Sequence, residues 1–111
     1  YDAALFYRTA KIALNYLTFG MARDLERAGR GIAVLGVAPG WLRTEALLYD
    51  VRQGKLAQAE LEATESTEFV GHAVLALATD LDVMTKSGQI LRTRDLARAY
   101  SFTDVDGRQP L

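Results

Sequence analysis

The chain has 111 residues, 50% of them apolar and 24% charged, with a formal net charge of -1. This balance suits one small domain with a real core, and it offers no field to draw nucleic acid or an anionic membrane surface. The absence of cysteine excludes disulfides and thiolate metal sites and fits a cytoplasmic protein.

The amino end, Tyr1-Asp2-Ala3-Ala4-Leu5-Phe6, lacks the basic stretch and long apolar core of a signal peptide. It also lacks a starting methionine, so the expectation is a chain cut from something longer. No apolar run reaches the roughly 18 to 20 residues of a membrane span. From Phe6 to Leu25 the pattern is helical. Between Ile12 and Ala22 there is no charge, and Ile12, Leu14, Tyr16, Leu17, Phe19 and Met21 surround only Asn15, Thr18 and Gly20 among the polar or small residues that break the run. A surface helix shows one apolar stripe, whereas this one is apolar around most of its circumference and needs partners on more than one side. Gly29 is the natural left-handed stop.

Residues 31–38, Gly-Ile-Ala-Val-Leu-Gly-Val-Ala, form a continuous apolar run, the pattern of a parallel strand buried on both faces. It ends at Pro39-Gly40. Ligands in open α/β sheets bind outside the carboxyl ends of the strands, where Pro39-Gly40-Trp41-Leu42-Arg43-Thr44 would lie. Glu45 to Ser66 predicts one or two short helices with a mobile connection. Ser66 is placed to cap a helix that carries Thr67 and Glu68 in its first turn and runs to about Ala78. Asp80 to Lys86 reads as a polar connection, Ser87-Gly88 as a turn, and residues 88–92 as a short strand. Asp95 to Tyr100 predicts one more helical turn, and Phe102 to Leu111 an irregular tail. Two strands cannot cover a strand like 31–38 on both edges and faces, which again points to missing neighbours.

Tyr7 and Lys11 are four apart, one turn apart on one helix face. A free phenol, with a pKa near 10, is a poor acid or base at neutral pH, and a cation beside it stabilises the phenolate. The lysine's three donors can also hold a ribose hydroxyl. The same spacing equally fits a helix with a solvated lysine and a packed tyrosine.

Context adds to the pair. Tyr-x-x-x-Lys, then Ala13-Leu14-Asn15 and Leu17-Thr18, the apolar strand, and Pro-Gly-Trp-Leu-Arg-Thr-Glu together resemble the classical short-chain dehydrogenase/reductase (SDR) family. Gly71-x-Ala73-Val74-x-x-Leu77-Ala78, Ser87-Gly88-Gln89, Leu96-Ala97 and Phe102-Thr103-Asp104-Val105-Asp106-Gly107 resemble the carboxyl end of uncharacterised bacterial members. The resemblance covers nearly all of the chain. It implies a three-layer α/β Rossmann-like fold with a parallel sheet, of which residues 1–111 are the carboxyl-terminal half, the amino-terminal dinucleotide-binding half being absent. It implies Tyr7 as the general acid/base toward a carbonyl or alcohol substrate, with Lys11 assisting it and holding the nicotinamide ribose. It further implies that Pro39 and Gly40 shape the turn beside the nicotinamide of NAD or NADP, and that the Leu42 backbone and the Thr44 hydroxyl meet its carboxamide. The segment after Thr44 would be the substrate lid.

The departures are large. The family's glycine-rich phosphate turn, its ribose selector, its Asn-Ala-Gly stretch and its catalytic serine and asparagine have no match here. Gly29-Arg30-Gly31 follows a helix instead of a strand and reads as a helix stop. With His72 the only histidine, no histidine metal pair or Ser-His-Asp triad can be built. Asp104-Val105-Asp106-Gly107 is a polar turn rather than a calcium loop. Trp41 either touches substrate or packs. Arg43 is either solvated or paired with Glu45. Arg92, Arg94 and Arg98, with Asp95 among them, read as a solvated face.

The sequence thus points to a fragment of an NAD(P)-dependent oxidoreductase, inactive by itself and homo-oligomeric when intact. The alternative is a non-catalytic truncated module that associates through helix 6–25, since in the resembled family this helix meets a partner helix. Without such cover the helix would be exposed.

Overall fold

The computed structural model describes residues 4–110. The chain divides into two compact units: one takes in the chain up to Gly36 together with Asp80–Leu91, the other Val37–Thr79 together with the chain from Arg92 onward.

In the first unit, α1 runs over Ala4–Arg27. It stops as its glycine predicts: Gly29 has φ +63°, and the N–H groups of Gly29 and Arg30 donate to Glu26 O and Leu25 O at 3.0 and 2.9 Å. Ala22 is the one buried residue of the helix among those described. The expected bare apolar surface is present, with Ile12 68% and Tyr16 75% exposed. Gly88, at φ +84°, lies against Ala22; a Cβ there would sit 3.3 Å from the alanine methyl, so the Ser87–Gly88 turn needs glycine for its conformation and for that approach.

The strand expected over 31–38 is much shorter. Extended pairing is confined to β1, Gly36–Ala38, and no residue from 31 to 38 is fully buried. Its partner is β2, Ile90–Arg92, in a parallel pair. Gly36 N–H donates to Gln89 O at 2.9 Å and Gly88 N–H to Val34 O at 2.7 Å. One step earlier the ladder gives way, and Val34 N–H donates to the Ser87 side-chain oxygen at 3.1 Å. The partner segment turns at Ser87–Gly88, so residues 31–33 have no strand to pair with among the described residues. Gly36 must be small, since a Cβ would collide with the Ile90 side chain. The polar connection contains a 3₁₀ turn, Val83–Lys86, and Lys86 Nζ meets Asp80 at 2.6 Å.

The second unit holds α2 (Glu45–Arg52), a 3₁₀ segment (Gln58–Ala63), α3 (Thr67–Thr79) and α4 (Thr93–Tyr100). α3 buries Phe69, Ala73 and Leu77, a single stripe at intervals of four, and packs on α4, which buries Leu96 and Ala97. Phe102 stacks obliquely on Phe69 with ring centroids 5.2 Å apart. Ser101, at φ +57°, closes α4, and the Gln109 amide donates to Ala97 O and Phe102 O, which ties the irregular tail down. Helices with a small parallel sheet are compatible with an α/β class.

Candidate functional site

The sequence-predicted residues fall into two groups, one in each unit. In the first, α1 carries Tyr7 and Lys11 on one face, and Lys11 Nζ stands 5.4 Å from the Tyr7 ring centroid. That distance lies within the range at which an ammonium is attracted to an aromatic ring. Tyr7 is 65% exposed, so the phenol faces solvent in the described chain. The helix therefore does what the i, i+4 spacing predicts and puts a positive charge beside a phenol.

In the second unit, the bend from Pro39 to Thr44 is tied on both sides. The carboxylate of Glu65, 3% exposed, accepts from Gly40 N–H at 2.9 Å and from the Thr93 hydroxyl at 2.8 and 2.7 Å. The backbone of the same residue makes a parallel bridge with Leu42: Glu65 N–H donates to Trp41 O at 2.9 Å, and Arg43 N–H donates to Glu65 O at 2.8 Å. A Cβ on Gly40 would lie 2.9 Å from Glu65 Oε1, so the carboxylate packs closely on the bend. Leu42 O accepts from Thr44 N–H at 2.9 Å, and Thr44 caps α2, its Oγ1 accepting a long 3.4 Å bond from Leu47 N–H. As an acceptor in that bond, the Thr44 hydroxyl keeps its proton for donation. A cavity of about 230 Å³ opens at the bend, lined by Pro39, Gly40, Trp41, Glu65, Thr93 and Arg94 among others. Trp41 is half exposed beside it.

A second buried carboxylate lies next to the first along the chain of contacts. Asp104 accepts from the Ser66 N–H at 2.9 Å, from the Ser66 hydroxyl, and from Val105 N–H at 2.7 Å. Ser66 Oγ in turn accepts from Phe69 N–H at 3.0 Å, so the predicted N-cap of α3 is itself held by Asp104. Arg43 meets neither open water nor Glu45 as its partner: its guanidinium reaches Asp104 at 3.2 Å and Asp106 at 3.7 Å. Burial pushes the Asp104 carboxyl up, but the bonds from Ser66 and Val105 outweigh it and hold the group below the usual carboxylate range. Hydrogen bonds from Arg108 bring Asp106 down to about 2. Glu68, in the first turn of α3, is lowered by its own backbone N–H and by the Thr67 hydroxyl.

The sequence therefore read Asp104 correctly as part of a polar turn and missed its burial. It missed Glu65 and Thr93 altogether. No local signal marks a carboxylate whose partners lie 25 and 28 positions away. The other readings stand as follows. His72 Nδ1 lies 3.1 Å from Thr103 O, and its ring stands edge-on to Phe102, a packing position. Arg92 and Arg98 both face Asp95, at 3.4 and 3.9 Å, on exposed side chains. No group of metal-ligating side chains is present among the described residues. No described helix is long and apolar enough to cross a membrane.

No family model matches the chain. It is similar to Dehydrogenase/reductase SDR family member 1 of Homo sapiens, 34% identical over a 110-residue alignment that covers 92% of this chain and 34% of that relative. The protein of the same name from Mus musculus is 32% identical over the same shares. The chain spans about a third of the length of these curated relatives. The similarity supports a relation of this chain to the SDR family.

Proposed function

We propose that this chain is the carboxyl-terminal half of an NAD- or NADP-dependent oxidoreductase that interconverts a small carbonyl compound and its alcohol. Its fold would be a three-layer Rossmann-like domain completed by an upstream half, and the intact protein a cytoplasmic homo-oligomer. The observation that carries the reading is the similarity to the two dehydrogenase/reductases along 92% of the chain. Tyr7 and Lys11 give it a mechanism. The Tyr7 hydroxyl donates its proton to the carbonyl oxygen during reduction and takes it back during alcohol oxidation. Lys11, with its ammonium 5.4 Å from the phenol ring, stabilises the negative charge left on that oxygen and holds a ribose hydroxyl. Bound NAD(P) would supply or accept the hydride.

The donor set at the bend fits a nicotinamide carboxamide: the Thr44 hydroxyl proton is available to the amide oxygen, and the Leu42 backbone stands two residues before it. Pro39 and Gly40 hold the turn in which these groups lie. The segment from Glu45 onward is the substrate lid. In the full-length protein, Tyr7→Phe is expected to lower turnover about hundredfold or more, as loss of a general acid does, while dinucleotide affinity should change little. Turnover within tenfold of the parent would overturn the role of Tyr7, and a full-length protein with no dinucleotide-dependent turnover would overturn the reading. The 111-residue chain alone is expected to show no dinucleotide binding by calorimetry, because the pyrophosphate and adenosine contacts would belong to the other half.

A second reading has its own observation. The exposed apolar residues of α1, among them Phe6, Ile12 and Tyr16, suit a non-catalytic module that works by helix-mediated association. The residues encoded upstream discriminate: a glycine-rich strand-to-helix turn there supports the enzyme, and its absence supports the module.

A further inference from the structure

We propose that Glu65 is a positioning residue for the nicotinamide end of the site, an inference that rests on the oxidoreductase reading above. Its buried carboxylate fixes the backbone of the Pro39–Thr44 bend. Three contacts of this one residue fall in the bend, and a fourth reaches Thr93. The side chain takes Gly40 N–H and the Thr93 hydroxyl, and the backbone takes Arg43 N–H while giving its own N–H to Trp41 O. Thr93, fully buried, is the first residue of α4 and directly follows β2. Glu65 thus ties the segment after β1 to the segment after β2, within the same unit.

A buried carboxylate is costly to desolvate and is tolerated only when bonded as fully as this one. Packing alone would be better served by an apolar side chain of the same volume. What the carboxylate supplies instead is direction. It accepts from a backbone N–H in the bend and a hydroxyl from the next strand's end at once, and so sets the distance between them. Gly40 completes the coupling: a Cβ at position 40 would lie 2.9 Å from Glu65 Oε1, so the carboxylate would have to shift to admit one. The cavity at the bend is lined by Gly40, Glu65 and Thr93 together, so a shift in any of them moves the cavity wall. Glu65 reaches the reaction only through the bend, and its role is to keep the Leu42 backbone and the Thr44 hydroxyl where a carboxamide can meet them.

The test uses the full-length protein. Glu65→Leu keeps the volume and removes the acceptor. It is expected to lower kcat about tenfold or more and to raise KM for the dinucleotide several-fold, with a smaller change in KM for the carbonyl substrate, as loss of a bond to a charged group predicts. Glu65→Gln is expected to recover activity to within about threefold, because the amide oxygen can accept from Gly40 and the amide nitrogen can donate to Thr93 Oγ1. A folded Glu65→Leu protein with parental kcat and both KM values unchanged overturns the inference, and so does a Glu65→Gln protein as impaired as Glu65→Leu. If Glu65→Leu does not fold, Thr93→Val, which removes one of the two donors, carries the test. The same selective rise in dinucleotide KM supports the inference, and an unchanged value overturns it. Tyr7→Phe keeps the two failures apart. A parent protein without dinucleotide-dependent turnover removes the oxidoreductase reading itself, and full activity in Tyr7→Phe removes its Tyr7 mechanism, whereas an inactive Tyr7→Phe beside a normal Glu65→Leu removes only the role of Glu65.

Discussion

Helix α1 and the Pro39–Thr44 bend solve opposite problems. α1 carries the proposed acid/base pair, Tyr7 and Lys11, on a surface that the described chain leaves largely bare, with Ala22 as its one buried residue. The bend is held instead by two buried carboxylates, Glu65 directly and Asp104 through Arg43 of the bend itself. The lesson is that local spacing suffices to place two groups on one helix, whereas holding an irregular loop in one conformation takes polar partners from distant positions. A loop cannot satisfy its own backbone groups, and here Glu65 does much of that for it.

The comparison can be broken by removing either kind of support from the 111-residue chain. The largest expected effect is at the second unit's knot. Asp104→Ala deprives Ser66, Val105 and Arg43 of a shared buried acceptor and should lower stability by about 3 kcal/mol in urea unfolding. Next comes Gly40→Ala, whose methyl meets the Glu65 carboxylate. It should cost about 2 kcal/mol, and the cost should shrink when Glu65 is shortened to Asp in the double variant. Ser66→Ala removes the α3 cap and should cost about 1 kcal/mol. Smallest of all, Leu17→Ser on α1 should change the stability of this chain by less than about 0.5 kcal/mol, because the side chain is already exposed. In the full-length protein the same substitution should cost several times more, if another surface covers the helix.

Acid sharpens the same contrast. The Asp104 carboxyl is held below its ordinary value and Asp106 is brought down to about 2, so both bind protons more weakly folded than unfolded. Their contribution is complete above the ordinary carboxylate range and is lost as the pH falls through the folded values. The urea midpoint should therefore drop between about pH 4 and pH 2, and Asp104→Asn should flatten that drop. An unchanged slope in the variant would show that Asp104 is not the group responsible.

The legible features were those with local causes. The Tyr7–Lys11 face, the Gly29 stop, the Ser66 cap, the Ser87–Gly88 turn and the stripe Phe69, Ala73, Leu77 all follow from spacing over a few residues, and each is found where the sequence puts it. The strand was over-read. An apolar run from 31 to 38 announces burial, but extended pairing lasts only as long as a partner strand does, and the partner turns at Ser87–Gly88. The partner of Arg43 was misread for the same reason in reverse. The nearest acid along the chain, Glu45, loses to Asp104 and Asp106, 61 and 63 positions on.

Composition, helix periodicity, caps and stops, the phenol–ammonium pair and the resemblance to the SDR family were legible in the sequence alone, because each rests on neighbours within a turn or on the order of motifs. Which carboxylates are buried, why a Cβ at position 40 is crowded, and what holds the bend were decided only by the tertiary structure. Those depend on Glu65, Thr93 and Asp104 being folded against segments tens of residues away, and a buried charge gains its partners only when the chain has brought them together.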